Sequence, residues 1–286
     1  MTKFVSALFV TLSIMAFGAE APSRFAKLDG TRIHYQSYGT GKQAVVFIHG
    51  WTCDLTFWRL QAPVYEKRRS LLIDLPGHGL SDKPEIAYTQ ELFARAVDAV
   101  MRDAGVERAV LVGHSMGTPV SLTFLKLYPE KVSGLASWTA SLRGRPRMTQ
   151  SARKKTAQSA EMVKTYRSPE YKSAMDHMFS VMFTDKTSTA LREQIRGKML
   201  ATPQYVMASA MEGMMALEPP AAGTHFNPPA AAFMVKRAAQ SGYEDYLRSL
   251  FPNLRTYQEW EGAGHFLMME QPERFNTALT EFLDYK

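Results

Sequence analysis

The sequence predicts an α/β fold: a mostly parallel sheet with helices on both faces, interrupted by a helical insert. Three observations predict it. Short β-rich runs such as Ala44–Ile48 (AVVFI) are continuously apolar, as in strands buried on both faces. They alternate with helical stretches, and strand–helix–strand alternation means parallel strands joined by crossovers. From Arg143 to about Leu217 the alternation stops, and that stretch reads as helical throughout.

The elements follow in order. Arg32–Tyr38 reads as a strand, Ala44–Ile48 as a buried strand, and Ser70–Leu75 as another, ended by Pro76-Gly77. Thr89 opens a helix with Glu91 early and Leu92, Phe93, Ala96, Val97 and Val100 spaced for one face, and Gly105 stops it. Arg108–Val112 is a third buried strand, and Gly113–Gly117 turns it into a helix through Tyr128. Val132–Trp138 is a fourth. After Glu218-Pro219-Pro220 come a strand at Ala230–Val235, a helix at Tyr243–Phe251, a strand at Leu254–Trp260 and a closing helix at Pro272–Leu283.

Composition narrows the class. With 286 residues, 45% hydrophobic and 21% charged, there is material for a sizeable core, which excludes disorder, collagen and coiled coil. Cys53 is the one cysteine, so an intrachain disulfide and a cysteine-built zinc or iron–sulfur site are excluded. The net charge of +7 is concentrated at the start of the insert, where Arg143–Lys172 holds nine basic residues against Glu161 and Glu170. That run reads as a solvated helix face, the rival reading being a surface that steers anionic substrates or rests on an acidic partner. Nucleic-acid binding is not expected, because only Tyr166 and Tyr171 interleave aromatics with the charge.

Met1–Ala21 has the form of a secretory signal peptide: Lys3, an apolar stretch Phe4–Phe17, then the small-x-small end Ala16-Phe17-Gly18. A membrane span is the rival reading, but the apolar run is shorter than the ~20 residues a bilayer requires. A buried first helix is the other. The expectation is an exported protein with no stable membrane insertion after signal removal. Its organisation is then signal peptide 1–21, core 22–142, helical cap 143–218 and core 219–286.

Gly113-His114-Ser115-Met116-Gly117 fits G-x-S-x-G in a strand–turn–helix setting. The bend lifts the Ser115 hydroxyl above the sheet and aims the N–H groups of the following helix at developing negative charge. The rival reading is an ordinary turn with a serine N-cap. A serine hydroxyl needs a base, and His265, in Gly262-Ala263-Gly264-His265-Phe266 after the final strand, stands at the sheet edge where chemistry gathers. His34, His177 and His225 read as structural or surface residues, and His78 as part of a structural loop. The oxyanion needs two donors: the backbone N–H of Met116, and that of Trp51 in His49-Gly50-Trp51.

On these residues the chain resembles the α/β-hydrolase superfamily. The resemblance covers about Arg24–Leu142 and Pro219–Lys286. It rests on His49-Gly50-Trp51, the segment Asp74 to Asp82 (DLPGHGLSD), Gly113–Gly117, and Gly262–Phe266 followed by Glu270-Gln271-Pro272-Glu273. It implies an eight-stranded, mostly parallel sheet, a cap after strand six, and Ser–His–acid catalysis without a cofactor or metal. Asp74 reads as a loop brace and does not match the triad acid.

The acid is where the pattern departs. The family places it after strand seven or strand six. Here those positions read Lys236-Arg237-Ala238-Ala239-Gln240 and Trp138-Thr139-Ala140-Ser141, with no carboxylate. Glu244 and Asp245 are the nearest candidates, Asp245 preferred for its shorter side chain, although both suit the first turn of a helix. Ten of the 17 methionines lie in the insert, which suits either a deformable apolar lining or core filling between helices. The expected function is an exported serine hydrolase cleaving a carboxylic ester or related acyl bond of an apolar small molecule. Haloalkane dehalogenases and epoxide hydrolases share the fold but use a carboxylate nucleophile, so Ser115 argues against both. The alternative is a ligand-binding protein on the same fold, with catalysis weak or lost.

Overall fold

A computed structural model describes residues 21–138, 160–236 and 242–285. Residues 1–20, on which the expectation of a signal peptide falls, most of the basic run and the loop after strand seven lie outside the described residues. Eight strands form one sheet: β1 (Arg24–Leu28), β2 (Thr31–Tyr38), β3 (Gln43–Ile48), β4 (Ser70–Ile73), β5 (Arg108–His114), β6 (Val132–Trp138), β7 (Ala230–Val235) and β8 (Leu254–Trp260). Their order is β1-β2-β4-β3-β5-β6-β7-β8. The pairs β1/β2 and β2/β4 are antiparallel, and the rest are parallel, as expected for a mostly parallel sheet.

The central strands are buried for the reason their composition indicates. Val45, Val46, Phe47 and Ile48 of β3 and Leu71, Leu72 and Ile73 of β4 are all buried. Each such side chain contributes roughly 1.5–3 kcal/mol of transfer free energy. β1 was not anticipated, although its signal was present. Asp29 and Gly30, at φ 48° and 83°, form the Asp-Gly connection of a two-residue hairpin. A 3-10 helix at Leu55–Gln61 and one turn of α-helix at Ala62–Tyr65 also stand outside the elements expected from sequence.

Helix α1 (Gln90–Asp103) starts where the Thr89 side chain accepts from the Leu92 N–H, and it buries Phe93, Ala96, Val97 and Val100. It ends in a Schellman arrangement: Gly105 at φ 69° lets the Val106 N–H reach the Met101 carbonyl at 2.8 Å. Helix α2 (Gly117–Leu127) follows β5, and the chain closes with α6 (Tyr243–Leu250) and α7 (Pro272–Asp284).

Between β6 and β7 lie residues 160–167, helical, and α3 (Tyr171–Met182), α4 (Thr189–Leu200) and α5 (Gln204–Met215). No strand lies among the described residues of this insert. It docks on loops that leave the carboxyl ends of the strands. Trp51 Nε1 donates to the Met207 carbonyl at 2.9 Å, and Thr202 Oγ1 donates to the Thr52 carbonyl at 3.2 Å. The His265 N–H donates to the Met182 carbonyl at 2.7 Å. No described helix is long and apolar enough to cross a membrane.

Candidate active site

The site begins with backbone strain. Ser115 sits at φ 51°, in the left-handed region that a β-carbon makes costly. The flanking glycines are required by close approach. A Cβ on Gly113 would lie 2.5 Å from the Gly117 carbonyl oxygen, and one on Gly117 would lie 2.3 Å from that of Ile48. Only a bend without side chains on either side lets α2 start so close to β3 and β5. Gly117→Ala is therefore expected to lower unfolding stability by about 2–4 kcal/mol, because both partners in the clash are backbone. Urea denaturation checks this.

Ser115, His265, Met116 and Trp51 all line one cavity of about 300 Å³. Ser115 reaches it from the end of β5, and His265 from the loop after β8. His114 ties the two segments together: its Nε2–H donates to the His265 carbonyl at 3.0 Å, and the two imidazole rings lie 5.0 Å apart. The backbone N–H groups of Trp51 and Met116 donate to no acceptor among the described residues. Gly50 permits the approach of the Trp51 loop, since a Cβ there would lie 2.9 Å from His114 Nδ1. The Trp51 indole lines the cavity while bonded to Met207.

The remaining wall is apolar. Seven methionines of the insert, from Met162 to Met215, line it with Leu122, Leu217 and Phe266. The other described insert methionines, Met175 and Met207, are core filling. Both sequence readings of the methionines thus apply to different residues. Lys126 and Glu218 are exposed side chains on the cavity's border.

Asp245 is not brought to this cavity. It is exposed on the first turn of α6 and makes no hydrogen bond or ion pair among the described residues. Glu244 pairs with Arg248 one turn along. Both occupy the helix start, where carboxylates favour the dipole. Glu270, in the Glu270-Gln271-Pro272-Glu273 segment that carries the family resemblance, is the carboxylate beside the histidine's loop: its Oε2 accepts from the Gly264 N–H at 2.5 Å.

The other histidines support the site from below. His49 donates from Nδ1 to the Gly50 carbonyl and accepts the Leu75 N–H at Nε2, which holds it neutral. Burial, then the neighbouring His49, pushes His78 down to about 3. Burial and the neighbouring His265 carry His114 well below the usual imidazole range. His78 is fully buried and lies outside the cavity lining. His34 is structural, its Nδ1–H donating to Asp74 at 2.7 Å, and His177 and His225 are exposed.

Asp74 braces the loops, as read from sequence. It also accepts the N–H groups of Leu55 at 2.7 Å and Leu80 at 2.9 Å. Burial alone would raise its pKa. The bond from His34, the neighbouring His49 ring and the two backbone N–H groups outweigh burial and hold it below the usual carboxylate range. No cluster of three or more metal-binding side chains occurs among the described residues.

The sequence pattern of the Alpha/beta hydrolase family matches residues 45–278, most of the chain. The chain belongs to the α/β-hydrolase family. Solved α/β-hydrolase structures superpose over nearly its whole length. An esterase from Thermogutta terrifontis aligns with TM-score 0.78 at 24% identity, covering 92% of this chain and 98% of that one. An enol-lactonase from Burkholderia xenovorans aligns with TM-score 0.79 at 22% identity, covering 92% and 100%. Among sequence relatives, a 2-hydroxy-6-oxononadienedioate/2-hydroxy-6-oxononatrienedioate hydrolase of Burkholderia vietnamiensis is 37% identical over 115 residues, which is 37% of this chain and 40% of that one. Such matches span less than half the length of the curated relatives concerned.

Proposed function

We propose that the protein is a serine hydrolase acting on a carboxylic ester or related acyl bond of a largely apolar small molecule. One observation carries this reading: a serine on a strained strand–helix bend shares a methionine-lined cavity with His265 and with two uncommitted backbone N–H groups. Esterase and lactonase relatives of the same fold agree with it.

In the proposed reaction His265 accepts the Ser115 proton as Oγ attacks the acyl carbon, and the oxyanion is held by the Trp51 and Met116 N–H groups. His265 then protonates the leaving alcohol, leaving an acyl-enzyme on Ser115. Water attacks this ester, giving its proton to His265. Collapse of the second tetrahedral intermediate frees the carboxylic acid and returns Ser115 to its hydroxyl form.

Incubation with a fluorophosphonate probe, followed by peptide mass mapping, tests the assignment. A single adduct on Ser115 is expected, together with turnover of short-chain aryl esters. The displaced Asp245 favours the second reading, a binding protein with catalysis lost, and absence of any Ser115 adduct would select it. We also propose export, on the signal-peptide form of Met1–Ala21. Recovery of the unprocessed chain from the cytosol would overturn that part.

A further inference from the structure

A catalytic imidazole works only if its ring is held in place, and in this chain the preferred acid stands away from the site. Three hydrogen bonds hold the peptide carrying His265. The N–H of Gly264 donates to Glu270 Oε2, the N–H of His265 to the Met182 carbonyl, and the carbonyl of His265 accepts from His114 Nε2. Two of these three anchors lie outside the elements that carry the nucleophile.

We propose that Glu270 is a positioning residue for His265, and that the helical insert shares this task through Met182 and Thr187. The inference rests on the serine-hydrolase reading above. Glu270 ends the short helix Leu267–Glu270, and its own N–H is tied to the Phe266 carbonyl at 3.0 Å. Its second oxygen accepts from Thr187 Oγ1 at 3.3 Å, and that hydroxyl accepts the Thr184 N–H at 3.0 Å. Arg192 donates to the Thr184 and Thr187 carbonyls at 2.7 and 2.8 Å, which fixes this insert loop and adds a favourable charge near the carboxylate.

Contact is close enough to dictate a glycine. A Cβ on Gly264 would lie 2.5 Å from Glu270 Oε1 and 2.7 Å from the Met182 carbonyl oxygen. The carboxylate and the insert therefore press on the backbone directly before the catalytic histidine from two sides. Removing the Glu270 side chain frees that backbone. A base displaced by about 1 Å costs on the order of 100-fold in rate. Substrate contacts along the methionine wall are untouched by the change, so KM is expected to stay nearly constant.

Four variants test this: Glu270→Ala, Glu270→Gln, Thr187→Val and Thr187→Ser. Glu270→Ala is expected to lower kcat on an aryl ester, and the rate of fluorophosphonate labelling, by roughly 30- to 100-fold, with KM within threefold. Glu270→Gln keeps an acceptor oxygen for Gly264 and should recover most of the loss. Thr187→Val, nearly isosteric, should lose several-fold in kcat, and Thr187→Ser should regain it. This pair keeps the test alive if Glu270→Ala does not fold. Imidazole resonances of isotopically labelled histidines supply a readout that needs no turnover. The His265 signal should move or broaden in Glu270→Ala, and those of exposed His177 and His225 should not.

Wild-type kcat in folded Glu270→Ala, a loss confined to KM, or an unmoved His265 signal would overturn the inference while the hydrolase reading stands. A Glu270→Gln variant as poor as Glu270→Ala would also overturn it. A His265 signal that moves in Glu270→Ala, in a protein whose wild type never labels at Ser115, would refute the hydrolase reading instead.

Discussion

Ser115→Ala is expected to lower kcat/KM for a short-chain aryl ester by about 10⁴-fold or more, with little change in the unfolding midpoint. The loss is large because the other described hydroxyl on the cavity wall, Thr123, is away from the bend and committed to the Pro119 carbonyl at 2.9 Å. The proposed oxyanion donors, the backbone N–H groups of Trp51 and Met116, survive the change, so a small residual rate over water is expected. His265→Ala should be nearly as damaging, and the double variant no worse than the poorer single one, because the two act as a unit. Ser115→Gly separates catalysis from stability. It removes the same hydroxyl but relieves a left-handed non-glycine residue at φ 51°, so it should be inactive yet about 1 kcal/mol more stable. Steady-state kinetics and denaturation of the same preparations check both arms. Substantial ester turnover by Ser115→Ala would end the serine assignment.

Acid is expected to unfold this protein unusually steeply. His49, His78 and His114 are fully buried and all are shifted down, chiefly by burial. An unfolded histidine titrates near 6.5. Below that pH the unfolded chain binds protons that the native state refuses, so stability is complete above about 6.5 and falls as the pH drops. For His78 the window runs from 6.5 down to about 3. Each such histidine contributes a slope of up to ~1.4 kcal/mol per pH unit within its window. Asp74, whose pKa is lowered, adds a further loss of the same sign only as the pH falls below the ordinary carboxylate range. Urea midpoints measured between pH 8 and 4.5 should fall throughout the lower half of that range. His78→Phe, which keeps an aromatic ring without a titrating group, should flatten the slope. A midpoint independent of pH between 6.5 and 5 would refute this account.

Much of the architecture was legible because buried parallel strands leave a strong trace. Val132–Trp138, Ala230–Val235 and Leu254–Trp260 have the bounds their composition indicates. Strand β1 was less visible because its RFAKL pattern is short and half exposed, so its identity depends on pairing across the Asp29-Gly30 turn. The strand–helix bend at Ser115 was legible because steric demands at Gly113 and Gly117 are local. The acid was not: whether a carboxylate faces an imidazole depends on helix α6, and its first turn leaves Asp245 exposed.

The sequence by itself determined the chemistry available: a hydroxyl on a glycine-flanked bend, an imidazole after the last strand, and a methionine-rich insert between β6 and β7. These are local properties, set by side-chain size, backbone freedom and hydrophobic period. Only the tertiary structure decided which methionines face the cavity, that His114 links the Ser115 bend to the carbonyl of His265, that the Met182 carbonyl accepts from the His265 N–H, and that Thr187 donates to Glu270. These three contacts join residues 83 to 151 positions apart, and no pattern along the chain encodes distance across a fold.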